Sequence, residues 1–139
     1  PPARIFLGDV GSGFLGFVLA ALAMLALRSP AVNVWTLVLL PGAFLADATV
    51  TLVRRALRRE RVQEAHRSHA YQWLARRWSS HRRVTLLYVA VNLLIVAPAA
   101  ALTLQRPALA GIAAAVVLSC LAGLAAIAGA GRQERPPRN

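Results

Sequence analysis

The sequence predicts an all-α fold, a polytopic integral membrane bundle with four transmembrane helices. Three observations carry that expectation. The 139-residue chain is 58% apolar, with a mean hydropathy of +0.55. Its apolar residues fall into runs, and a helix crosses a bilayer with roughly 20 of them. Ten of the sixteen arginines crowd into one connection, Arg54 to Arg83. The spans are expected over residues 11–27, 34–53, 84–104 and 108–130. A cytoplasmic loop over 54–83 and a cytoplasmic tail over 131–139 complete one domain, 1–139.

Charge and cysteine content narrow the function classes. A net charge of +11 is compatible with nucleic acid binding. Its concentration between two apolar runs is instead the positive-inside pattern, so no nucleic-acid partner is expected. The lone Cys120, inside an apolar run, excludes a disulfide framework and a thiolate metal centre.

Arg4 to Ser12 reads as a turn leading into the first span. Gly8, Gly11 and Gly13 allow the backbone to approach a ligand closely. From Gly11 the run to Leu27 covers about 26 Å, just enough to cross. Asp9, at the edge of this run, has two readings. It can cap the following helix, or it can ligate a hard cation such as Mg2+. Arg28-Ser29-Pro30 ends the span.

The second span begins near Val34, with Trp35 suited to the interfacial belt. Pro41-Gly42 should interrupt it. Asp47 is an ionisable residue inside a span, which makes it a functional candidate. The alternative is an internal pair with an arginine one or two turns on. Asp47, Thr51, Arg55 and Arg58 recur at helical spacing and can share a face.

The arginine segment also has two readings. It can set topology and attract anionic headgroups. Or Arg54, Arg55, Arg58 and Arg67 can grip phosphates, because a guanidinium binds two oxygens at once. Within it, Ala65-His66-Arg67-Ser68-His69-Ala70-Tyr71-Gln72 places His66 and His69 on one side of a helical turn. Tyr71, Trp73 and Trp78 suit an amphipathic segment at the headgroup level.

In the third span Pro98 predicts a kink and Asn92 a hydrogen bond to a neighbouring helix. In the fourth, Gly111, Ala115, Ser119 and Gly123 form a small-residue stripe expected to pack. Charge bias puts Asp9, the arginine segment and the tail on the cytoplasmic face, with Arg28 and Arg106 outside. The acid and the histidines can therefore meet at one surface.

The residues Pro2-Ala3-Arg4-Ile5-Phe6-Leu7-Gly8-Asp9-Val10-Gly11-Ser12 resemble a cytoplasmic motif of the polyprenyl-phosphate N-acetylhexosamine-1-phosphate transferases. A second match runs from Asp47 through Arg54-Arg55 to His66-Arg67-Ser68-His69. It is most similar to the O-antigen-initiating branch. The resemblance implies transfer of N-acetylhexosamine 1-phosphate from a UDP-N-acetylhexosamine to undecaprenyl phosphate, with release of UMP, at the bacterial inner membrane. It implies Asp9 as a catalytic Mg2+ ligand, and Arg55 and His69 as contacts to the diphosphate or nucleotide. His66, Arg67 and Asp47 would be their neighbours. Two departures stand out. Tyr71 and Gln72 replace family histidines, and the family's paired aspartates on an earlier loop are absent. The chain is thus expected to be the C-terminal part of a longer protein, inactive alone. The competing expectation is a non-catalytic four-span scaffold that binds anionic lipid through its arginines.

Overall fold

The computed structural model describes residues 7–61 and 67–133, without the side chain of Asp9. The regular elements among the described residues are all helices, with no strand. Helix α1 spans Gly8–Ala26, α2 Val34–Leu39, α3 Gly42–Leu57, α4 Ala70–Trp78, α5 His81–Val91, α6 Ala97–Gln105 and α7 Ala110–Ala128.

Local chemistry explains the boundaries. Asn33 starts α2 by accepting from the Thr36 amide at 3.1 Å, an N-cap that satisfies one of the free donors of the first turn. Pro41 ends α2 and opens α3, so the expected second span is two helices broken where Pro41-Gly42 predicted. Ser80 caps α5 by accepting from the Arg83 amide at 3.3 Å. Between α5 and α6, Asn92–Val96 widens into a π turn. Pro98 follows two residues later; it lacks an amide hydrogen and crowds the carbonyl four residues back. A π turn accommodates such a mismatch without ending the helix, so residues 81–105 run on as one. Asn92 donates to the Tyr88 carbonyl at 2.8 Å. The expected bond to another helix is replaced by one within its own, because the carbonyl four residues back is the nearest acceptor.

Helix α7 is the central post. Three small apolar clusters climb it: Leu39, Ala100 and Ala114; Ala46, Val96 and Leu121; and Ala70, Ala125 and Ala130. Its buried stripe is Ala110, Ala114, Leu121 and Ala125. This corrects the expected packing stripe. Ala115, Ser119 and Gly123 are exposed, and only Gly111 meets a neighbour, the Trp35 ring. Alanines sit one position away from that glycine-serine stripe, and a sequence this rich in small residues leaves the rotation of the helix open.

The two ends differ. At one, the Thr36 and Thr103 hydroxyls meet at 2.7 Å, and Asn33 donates to the Thr103 carbonyl at 2.9 Å. Thr103 gives its own proton to the Ala100 carbonyl at 2.7 Å, so Thr36 is the donor in the pair. Arg106 lies at this end, at the turn before Pro107. The other end gathers the arginine segment, α4 and residues 129–133.

Two continuous helices, His81–Gln105 and Pro107–Ala128, are long and apolar enough to cross a membrane; Val10–Ala26 is apolar but shorter. The chain exposes 10563 Å², whereas a soluble globular protein of this mass exposes roughly 7,000 Å². Much of the excess is leucine, isoleucine, valine and phenylalanine, including nearly all of α1. These features support a membrane-embedded helical bundle.

Candidate functional site

Asp47 is the hub of the polar end. It is 3% exposed, in the middle of α3. A carboxylate buried this deeply must be satisfied by donors, and four supply them. The Ala70 and Tyr71 amides donate at 2.8 and 3.3 Å, the Thr51 hydroxyl at 3.2 Å and the Tyr88 hydroxyl at 3.2 Å. Two of these are free amides at the start of α4, where a negative charge is favoured. His69 Nδ1 stands 3.5 Å from Asp47 Oδ1. Asp47 thus joins α3, α4 and α5. The expected internal pair with an arginine is not formed: the partners of Asp47 are two amides, two hydroxyls and His69. The spacing did predict the shared face, since Asp47, Thr51 and Arg55 are all buried on one side of α3.

His69 precedes α4, and its amide donates to Gln72 Oε1 at 3.2 Å. Gln72, where the resembling family has histidine, therefore works as a capping residue. The His69 ring stacks on Tyr71, centroids 5.8 Å apart, and its side chain is 23% exposed.

The arginines divide sharply. Arg54 donates to the Ala126 and Ala130 carbonyls at 3.1 and 2.7 Å, closing the C-terminus of α7, where a cation complements the helix dipole. Arg55 is buried; it bonds Glu60 at 3.1 Å and the Arg61 carbonyl at 2.7 Å. Arg58 bonds Glu60 at 2.7 Å and also reaches the Gly131 carbonyl. Arg54 and Arg58 tie the end of α3 to the end of α7 and the segment after it. Arg67 is exposed. Glu60 gathers Arg58, Gln133 and Arg55, which hold its carboxyl down from 4.5 to about 2.

The segment after α7 is shaped to fit. Gly129 and Gly131 have φ of +111° and +70°, the left-handed region that glycine adopts freely. A Cβ on Gly131 would stand 2.8 Å from Arg54 Cβ. The Gly131 amide donates to the Ser68 carbonyl at 2.6 Å, so the histidine motif is stitched to the C-terminal segment. Among the described residues, Ser68 Oγ and Trp73 Nε1 are buried without a hydrogen-bond partner.

Two motif residues are placed incompletely or not at all. His66 lies outside the described residues. Asp9 falls in the first turn of α1, with Leu7 at the N-cap position, so the helix begins earlier than the expected turn and Asp9 does not precede it. Its side chain lies outside the description. No group of three or more His, Cys, Asp or Glu side chains converges among the described residues, and the carboxylates of Asp47 and Glu60 are already engaged. The described residues therefore do not compose a Mg2+ site, which needs several oxygens. Sequence reasoning missed Tyr88 and Gly131; a tyrosine in an apolar run and a glycine in a basic tail gave no periodic signal.

No protein-family model and no solved structure matches the chain. It is 33% identical over 89 residues to a probable undecaprenyl-phosphate N-acetylglucosaminyl 1-phosphate transferase of Bacillus subtilis (strain 168). The match covers 62% of this chain and 25% of that relative, so the chain spans about a quarter of the relative's length. This similarity supports the polyprenyl-phosphate sugar-phosphate transferase family at large and does not single out the O-antigen-initiating branch.

Proposed function

We propose that the chain is part of a multi-pass enzyme of the bacterial inner membrane that transfers N-acetylhexosamine 1-phosphate from a UDP-sugar to undecaprenyl phosphate. The observation that carries this reading is the similarity to the Bacillus subtilis transferase. The Asp47–His69 cluster, beside exposed Arg67, gives it a chemical locus. A phosphate oxygen of the lipid attacks the sugar-bearing phosphorus, the bond to the bridging oxygen breaks, and UMP leaves. Such a reaction needs positioning and charge neutralisation more than covalent help. In this reading Arg67 and His69 face the diphosphate, with His66 beside them. Asp47 and Arg55 hold the frame that presents them. Bound Mg2+ would neutralise diphosphate charge; Asp9 is the residue proposed to contact it. The product would start O-antigen or a related envelope polysaccharide, with the arginine segment on the cytoplasmic side.

The test is UMP release from UDP-N-acetylglucosamine and undecaprenyl phosphate, using membranes that carry the complete natural protein containing this chain. Asp9→Asn and His69→Ala are expected to lower the rate at least about a hundredfold. Wild-type rates in both variants would leave the non-catalytic lipid-binding scaffold.

A further inference from the structure

Tyr88 reaches the polar end from a helix that carries none of the motif residues. It lies on α5, within the long apolar helix His81–Gln105, and its hydroxyl donates to Asp47 Oδ2 at 3.2 Å. The path of the chain returns it there. Ser79, at a φ of +47°, and Ser80 join α4 to α5. Tyr88 then stands about two turns, or roughly 10 Å, along α5, and α4 is about 12 Å long. A tight turn and two similar lengths bring the phenol back beside the first turn of α4. Asn92 donates to the Tyr88 carbonyl at 2.8 Å, at the entry to the π turn Asn92–Val96, so the backbone that carries the phenol is itself held. The two Asp47 oxygens are bound differently. Oδ1 takes the Ala70 amide at 2.8 Å and the Thr51 hydroxyl at 3.2 Å. Oδ2 takes the Tyr71 amide at 3.3 Å and the Tyr88 hydroxyl. Thr51 shares α3 with Asp47, so its bond ties the carboxylate to no other helix. Tyr88 fixes the carboxylate against α5, and the amides that start α4 follow the carboxylate. His69, the residue before Ala70, has Nδ1 3.5 Å from Asp47 Oδ1, and its ring stacks on Tyr71. What orients Asp47 therefore also orients the imidazole.

We infer that Tyr88 is a positioning residue: its hydroxyl orients Asp47 and, through Asp47, the first turn of α4 and the His69 ring. Its role in transfer rests on the transferase reading, in which His69 faces the diphosphate; the orienting contact itself does not. Misplacing a group at a reacting centre by about 1 Å can cost about a hundredfold in rate, so a residue that acts through another can still set turnover. Tyr88→Phe keeps the ring and removes one hydrogen bond to a charged acceptor.

The test uses the complete natural protein containing this chain, as wild type, Tyr88→Phe, Asp47→Asn and the double variant. Hydrogen–deuterium exchange reads the Ala70 and Tyr71 amides. Tyr88→Phe is expected to speed their exchange about tenfold and to leave the amides around Thr36 and Thr103, at the far end, unchanged. Thr51→Val, which removes the hydroxyl donor on α3, should speed it less. UMP release is then measured per folded molecule. Tyr88→Phe is expected to lower kcat about tenfold, with KM for UDP-N-acetylglucosamine within about twofold. The double variant should be no slower than Asp47→Asn, because both changes act through one carboxylate. A merely structural tyrosine would lower the amount of folded protein and leave kcat per folded molecule intact. Unchanged exchange at Ala70 and Tyr71 in Tyr88→Phe overturns the inference, and so does an equal acceleration in Thr51→Val. If the wild type releases no UMP while the exchange pattern holds, the transferase reading fails and the orienting contact stands. If the wild type turns over and Tyr88→Phe matches its kcat, or the losses in the double variant add, the positioning role is overturned.

Discussion

A single buried carboxylate, Asp47, holds hydrogen bonds from three helices, α3, α4 and α5. Replacing it with alanine would strand the Ala70 and Tyr71 amides, and the Thr51 and Tyr88 hydroxyls, in a dry interior. Asp47→Ala is expected to destabilise the chain by about 3 kcal/mol, measured by denaturant unfolding in detergent. Asp47→Asn keeps one acceptor and should lose less; a larger loss for Asn than for Ala would contradict this account. Glu60 supplies the pH dependence. Its pKa is lowered from 4.5 to about 2 in the folded chain, so the folded state binds its proton less readily than the unfolded one. Its contribution is complete above pH 4.5 and disappears as pH falls through about 2. Glu60→Gln should flatten the stability curve across that acid window and leave its shape at neutral pH unchanged.

At the scale of elements, conformation and close approach take over from charge. Gly131 closes the segment after α7 against Arg54, at a φ of +70°. Gly131→Ala meets Arg54 Cβ at 2.8 Å and a disfavoured backbone as well. It is expected to cost about 1–3 kcal/mol. Gly123 is the matched control: it is helical, and a Cβ there meets nothing within 4 Å. Gly123→Ala should be neutral or stabilising by up to about 1 kcal/mol. Thermal unfolding of the two variants side by side checks the contrast, and equal effects would remove Gly131 from this role. The π turn shows the same economy in a helix. Pro98 lies inside the third span; the widened turn before it accommodates the missing amide and keeps residues 81–105 continuous.

At the scale of the molecule, the two ends have different chemistry and α7 joins them. One end is locked by the threonine pair and Asn33. The other holds Asp47 and the arginines. The apolar sides between them face outward, and only a non-aqueous environment makes that arrangement stable. The proposed transfer reaction belongs to this scale. The described residues provide a basic frame and an oriented imidazole but not a set of metal-binding oxygens. Because the chain spans about a quarter of the relative's length, it is expected by itself to release no UMP in the transfer assay, and turnover by it would refute that.

The sequence by itself determined the helical class, the grouping of arginines at one end, the break at Pro41-Gly42 and the face shared by Asp47, Thr51 and Arg55. Hydropathy, proline chemistry and the 3.6-residue period act locally, so neighbouring residues are enough to read them. The histidine motif and its family resemblance were legible for the same reason, being contiguous. Only the tertiary structure decided what Asp47 holds, because its partners are 23, 24 and 41 residues away. It also decided which arginines are spent on carbonyls and Glu60. Alike side chains in one charged run cannot be told apart until folding brings acceptors to some and leaves others facing out. The rotation of α7 was settled by packing too, since small residues occupy adjacent stripes and only contact with its neighbours chooses between them.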